Sequence, residues 1–292
     1  MQAAQSSSSL PFPELRERAF DNGVVALTDD ALFEQTGIRI AFSERVGGRS
    51  EGPYASLNLS TAVGDSGAAV IQNVLRLGAS LGMGGPIIRP KQVHGTDILV
   101  LDSLEEAKVA QVQEQAKEGA DGVIVTVPGA AQLCFADCVP VIIASPTGAF
   151  AVVHAGWRGV MGSIAPAAVR QLARLGSASV AHGDAAPFSS AADAASSYNV
   201  YIGPYIHAEC FECGLDVHRA FVERFGEACA PDGAHIDLGA ALVADLADAG
   251  IDTERRLADA DICTACDTQR FYSYRASGGV CGRHGALAFR TA

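Results

Sequence analysis

Between residues 86 and 154 the chain passes through five short segments rich in Val and Ile: 86–101, 121–127, 131–135, 139–145 and 150–154. Each is bounded by Gly, Pro or Asp, and apolar runs of this kind with turn residues at both ends read as buried β-strands. Helical spacing lies elsewhere. Val70, Val74, Leu75 and Leu77 predict a helix over 65–81, and the same periodicity returns over 160–175, 215–229 and 239–249. The polar stretch 103–118 reads as a helix or as a mobile excursion between strands. A strand followed by a Gly/Pro-punctuated loop is expected within 37–62, with further strands at 199–202 and 234–238. The end, 271–290, reads as a hairpin turning at Gly278-Gly279. Strands bunched together with helices at intervals predict a single α+β domain built on mixed sheets.

The Ser-rich start, residues 1–22, reads as a loose tail, and 23–292 as one catalytic domain. Residues 176–198, rich in Ala, Ser and Gly and without periodicity, read as a flexible insertion in that domain. A formal charge of −12 with no Lys/Arg cluster disfavours nucleic acid and anionic membranes as partners. No apolar run is long enough for a membrane span, and the N-terminus lacks the basic start and apolar stretch of a secretory signal. A cytoplasmic protein is expected. Its eight cysteines are too sparse for a disulfide scaffold.

His94 in KQVHGTD (91–97), Cys138 in CFADCVPV (134–141) and His154 in VVHAGWRG (152–159) carry the strongest chemical signal. Two imidazoles and one thiolate suit zinc, and a fourth position left open to water or substrate marks a catalytic site. The alternative for each residue is a satisfied place in the core. Asp137, beside the thiolate, is placed to orient a ligand imidazole, bind substrate or act as a base.

These three segments resemble the signature of the YfiH-like purine nucleoside phosphorylase family, formerly labelled polyphenol oxidase or laccase-domain proteins. Further likeness lies in SERVGGRSEGPYASLNLS (43–60), Gly64-Asp65, 120–122, 202–204 and DICTAC…FYSYR…GRHGALAF (261–289). The resemblance implies an α/β/β/α four-layer sandwich, with two mixed sheets between helical layers. It implies one zinc ion held by His94, Cys138 and His154; copper uptake in vitro is expected separately, from the high intrinsic affinity of copper(II) for such donors. It also implies phosphorolysis of adenosine, inosine, guanosine and methylthioadenosine to the free base and ribose 1-phosphate, with adenosine deamination as a further activity. One departure is Val74, where the family usually carries an arginine.

Phosphorolysis needs an anion grip near C1′ of the ribose. Arg45 in the Gly-rich loop is the first candidate and Arg158 the second, because a guanidinium donates two parallel hydrogen bonds to phosphate. Asn58 is expected either to bind ribose or purine edges or to stabilise its own turn. Deamination at C6 of adenine needs activated water and a carboxylate that moves protons, and Asp137 is the candidate. Trp157, the only tryptophan, either stacks on a purine or packs under the sheet. The pairs Cys210/Cys213 and Cys263/Cys266 offer a four-thiolate zinc site, although their separation exceeds the usual ribbon gap.

Two rival chemistries need weighing. A copper-dependent polyphenol oxidase would draw on many histidines, yet no two of the seven here are two residues apart. A single blue-copper centre wants a weak axial Met, for which only Met161 lies near a ligand. A Cys138 nucleophile with His94 or His154 as base would give an amide or ester hydrolase.

Overall fold

Alternate side chains along most strands face two different apolar environments, and that alternation stacks the chain into four layers. The computed structural model describes residues 9–178 and 190–291. One sheet runs in the order β1 (Arg16–Ala19), β2 (Val25–Thr28), β3 (Ile38–Ser43), β12 (His284–Arg290), β7 (Gly129–Phe135), β4 (Ile87–Ile88). The other runs β11 (Leu257–Asp259), β10 (Asn199–Ile202), β8 (Val139–Ala144), β9 (Phe150–Ala155), β6 (Gly122–Val125), β5 (Ile98–Leu101). Both are mixed: inner ladders are antiparallel, and β4, β5 and β11 join in parallel.

Ile38, Ile40 and Phe42 of β3 meet Ile142, Phe150 and Val152 of the opposite sheet in a core between the two. The intervening Val141, Ile143, Val153 and Ala155 face a second core under helices α5 (Ile164–Ala178) and α8 (Leu238–Asp248). Helix α7 (Leu215–Phe225) adds Phe221 to that layer. On the far side, Leu77 and Leu81 of α2 (Gly67–Leu81) cover Ala41, Leu287 and Phe289. The fold is therefore the α/β/β/α sandwich expected. Among the described residues no helix is long and apolar enough to cross a membrane.

Several local expectations change. Residues 86–101 do not form one strand: β4 belongs to one sheet and β5 to the other, and the connection between them crosses the sandwich. Residues 106–118 form helix α3, which puts Val112 and Ala116 against the inter-sheet core. The helix over 160–175 is really two, α4 (Trp157–Met161) and α5, separated at Gly162 and at Ser163 with φ 52°. A Cβ at Gly162 would collide with Thr96 Cγ2.

Part of the supposed loose tail is structured. Leu10 is buried, the carbonyls of Leu10 and Pro11 accept from Arg256 and Asn199, and Arg16–Ala19 pairs with β2. Residues 234–238 form no strand, because Asp232 captures the N–H groups of Ala234 and His235 while Asp237 caps α8. The terminal hairpin is also absent: β12 is flanked by β3 and β7 on both edges, which leaves no ladder for a hairpin partner. Residues 274–279 instead close into helical turns. Of the proposed insertion, 176–178 extend α5 and Ala191–Ser196 forms a short helix α6. Residues 179–189 of it lie outside the described residues.

Candidate metal centre

His94 lies on the β4–β5 crossover, Cys138 on the β7–β8 crossover, and His154 near the end of β9. Two connections that pass between the sheets thus converge on one strand end. One ligand atom from each residue lies within 4.8 Å of the others. Donors sharing a tetrahedral zinc stand about 3.5 Å apart, from bond lengths of about 2.0–2.3 Å, so a small inward shift completes the set. The two imidazole rings meet edge to face at 4.8 Å between centroids. His154 is buried, Cys138 half-buried and His94 exposed, so the cluster opens to solvent on the His94 side. Gly156 allows the close approach: a Cβ there would lie 3.1 Å from Cys138 Sγ and 3.2 Å from His94 Cδ2.

Asp121, at the foot of β6 and fully buried, organises both histidines. Its carboxylate accepts the N–H groups of Val93 (3.2 Å), His94 (3.0 Å) and Gly95 (2.7 Å). That clamp holds His94 in the left-handed region at φ 59°, a conformation that costs a non-glycine residue about 1–3 kcal/mol. The same carboxylate lies 2.7 Å from His154 Nδ1, which leaves Nε2 free to meet a metal. Burial raises the Asp121 pKa, but the bonds from His154, Gly95 and His94 outweigh it, and the net shift is downward.

Without metal, Cys138 and His154 form a charged pair. Burial pushes the Cys138 thiol up, yet His154 and His94 overcome this and bring it down to about 6. Burial disfavours protonated His154, whereas the Cys138 thiolate and Asp121 raise it to about 9. A divalent cation fits this donor set by replacing the proton that the pair shares.

The remaining candidates separate. Asp137, at φ 91°, does not orient an imidazole: Oδ1 accepts from Thr264 Oγ1 at 2.8 Å and Oδ2 from the Arg275 N–H at 2.7 Å. Asp121 takes the orienting role instead. Asn58 is fully buried and its amide is saturated, with Nδ2 donating to Ser60 O and Asp65 Oδ2 and Oδ1 accepting from Ser60 and Arg283. It braces its turn and has no capacity left for a ribose hydroxyl. Arg45 donates to the carbonyls of Ala55 and Thr268 while lying 4.4 Å above the Tyr272 ring, which makes it a loop brace. Arg158 is exposed, and its guanidinium stands 4.3 Å over the Trp157 ring. Trp157 itself packs against the helix-side core.

Sequence reasoning assigned no role to Asp121, Gly156 or His284. The His284 ring is buried at the same end of the inter-sheet core, stacked near Phe135, which in turn lies 5.4 Å from His154. Burial, with Arg283 nearby, drives its pKa to about 3, so it is neutral.

Residues 39–291 match the profile of a family described as multi-copper polyphenol oxidoreductase laccase. The chain belongs to this family. Among its relatives, adenosine deaminase RL5 from an unknown prokaryotic organism is 33% identical over 240 residues, 79% of this chain and 85% of the relative. A purine nucleoside phosphorylase of Xylella fastidiosa (strain Temecula1) is 32% identical over 239 residues, 78% and 83% of the two chains. The crystal structure of the Bacillus licheniformis hypothetical protein YfiH superposes with a TM-score of 0.77 at 22% identity, covering 94% of this chain and 99% of that one. This YfiH-like, laccase-labelled family therefore shares the four-layer fold described above. Within it, Val74 of this chain packs against the α2-side core, and neighbouring Arg76 donates to the carbonyls of Gly47 and Asn22.

Proposed function

We propose that this protein is a zinc-dependent purine nucleoside enzyme. It splits adenosine, inosine, guanosine or methylthioadenosine with phosphate into the base and the sugar 1-phosphate, and it deaminates adenosine as a second activity. The observation that carries this reading is the open His94–Cys138–His154 cluster, backed by Asp121, in a chain whose relatives are named for those two reactions.

The open face at His94 admits the nucleoside from solvent. Asp121 keeps the His154 tautomer fixed and holds the His94 loop, so neither imidazole has to reorganise when substrate enters. Arg158 grips phosphate: its fork is exposed and steadied by Trp157, whereas Arg45 spends its donors on loop carbonyls. Asp137 is the proton acceptor next to the site, its carboxylate set in place by Thr264 and the Arg275 N–H. A divalent cation, when bound, supplies Lewis-acid polarisation at the face the three donors leave open.

Zinc is favoured over copper by the donor set. Of the residues described, one cluster pairs two histidines with a cysteine, and Met161 packs into the helix-side core. All eight cysteines are free thiols, which suits a cytoplasmic setting.

The test is to incubate metal-analysed protein with adenosine, with and without phosphate, and to resolve adenine, ribose 1-phosphate and inosine. Phosphate-dependent adenine and ribose 1-phosphate are expected from wild type and absent from Cys138→Ala. If wild type forms none of the three products, the nucleoside reading falls.

A second reading rests on the Asp121–His154–Cys138 line, which has the order of a thiol-hydrolase triad. Such an enzyme cleaves amides or esters without metal. Activity that survives chelation but is lost to iodoacetamide would select it.

A further inference from the structure

A second group of metal-type donors shares no residue with the first. Cys210, Cys263, Cys266 and Glu209 each place one ligand atom within 4.8 Å of the others. They come from two loops more than fifty residues apart in the chain. Cys210 Sγ and Cys266 Sγ are 3.5 Å apart, far beyond the ~2.05 Å of a disulfide. Two thiolates on one tetrahedral zinc stand about 3.8 Å apart, from Zn–S bonds of about 2.3 Å. The His207 N–H donates to Cys263 Sγ at 3.4 Å, the kind of bond that orients a ligand thiolate from behind. His207 Nδ1 faces Glu209 Oε1 at 3.9 Å, and its Nε2 is buried with no hydrogen-bond partner. Arg275 fixes the same loop by donating to the carbonyls of Cys210 and Glu212.

Cys213 stands outside this group, and its N–H is engaged by Ala234 O. The four-thiolate set suggested by the two CxxC pairs is therefore corrected to three thiolates and a carboxylate. We infer that Glu209, Cys210, Cys263 and Cys266 form a second, structural site for a thiophilic divalent cation of the zinc class. Three sulfurs select a soft metal over magnesium or calcium. Four protein donors leave no open position, in contrast to the first centre.

Its place in the fold gives it a purpose. The two loops it joins also grip Asp137: the Ile206 N–H donates to Asp137 O, and Thr264 Oγ1 to the carboxylate. A bound cation staples these loops together and stiffens the wall behind Cys138.

The test counts metal per chain by mass spectrometry, after zinc loading of reduced protein and desalting. Wild type is expected to hold two equivalents, Cys266→Ser one, Cys138→Ala one, and the double variant none. Cobalt(II) loading adds a spectroscopic readout: near-ultraviolet thiolate-to-metal absorption persists in Cys138→Ala and falls by more than half in Cys266→Ser. Because Cys266 and Glu209 are exposed, neither substitution empties a core. Glu209→Gln is expected to release one of the two equivalents to a chelator about tenfold more readily. A count that Cys266→Ser leaves unchanged from wild type, whether one equivalent or two, overturns the second site. So does a Cys210–Cys266 disulfide in protein that holds a single zinc. The count at Cys266 does not depend on nucleoside turnover, so failure here is distinct from failure of the proposed activity.

Discussion

The Asp121 carboxylate accepts three N–H groups from the loop that carries His94 and bonds the ring nitrogen of His154. Asn at this position offers one acceptor oxygen and turns an amide NH2 towards donors. Asp121→Asn is expected to weaken metal affinity by about 10–100-fold, measured by chelator competition, and to cost about 2–3 kcal/mol in urea unfolding. The pH dependence has a definite sign. The folded pKa lies below the ordinary 3.8, so the unfolded chain binds the proton more readily in that window. The stability from Asp121 is complete above about pH 4 and is lost as pH falls through the folded pKa. Metal-free wild type should therefore show a steeper acid limb than Asp121→Asn, and equal limbs would sink this account. Gly156 gives a second check. At φ −68° alanine is allowed there, but its Cβ presses on Cys138 Sγ and His94 Cδ2. Gly156→Ala should lower metal affinity about tenfold through this misfit, with little change in the unfolding midpoint.

Helix α2 shows how an element is held by one polar residue as well as by an apolar face. Asn73 is fully buried; Oδ1 accepts from the Arg49 N–H, and Nδ2 donates to Ser50 Oγ and to the carbonyls of Ser56 and Asn58. Asn73→Ala strands those loop groups and should cost about 2–4 kcal/mol in denaturant unfolding. A loss below about 0.5 kcal/mol would mean that the loop repairs itself. The apolar face of α2 was legible in the sequence because its period is local, and the strands over 121–154 because turn residues bracket their apolar runs. Other elements depended on distant partners. Strand β1 shows only exposed side chains, so no burial pattern announces it. Residues 234–238 look like a strand until Asp232 takes the N–H groups of Ala234 and His235 and Asp237 turns to cap α8. The candidate ligands His94, Cys138 and His154 stood out by residue type and by resemblance. Asp121 did not, since its value lies in which N–H groups reach it after folding. Asn58 left two readings open for the same reason, as a saturated buried amide and a free one are identical in sequence.

The last strand is central in the folded molecule. β12 pairs with β3 over residues 286–290 and with β7 over 284–290, so the sheet that carries β7 closes only when residues 284–290 insert between them. Its side chains serve two cores at once: Ala286 and Ala288 face the opposite sheet, while Leu287 and Phe289 face α2. β7 leads directly to Cys138, so the crossover that carries this candidate ligand inherits its position from that pairing. Contacts of such sequence separation must offset a large loop-closure entropy before they stabilise anything, and they make folding slow. A chain ending at residue 283 should therefore lack a cooperative thermal transition by far-ultraviolet circular dichroism and should retain no metal at the His94–Cys138–His154 cluster after desalting. Leu287→Ala tests the same dependence more gently. It empties part of the α2-side core and should cost about 2–5 kcal/mol, while both ladders and the ligands remain in place. If the shortened chain melts cooperatively and keeps its metal, the two sheets do not need β12 to hold the ligand crossovers together.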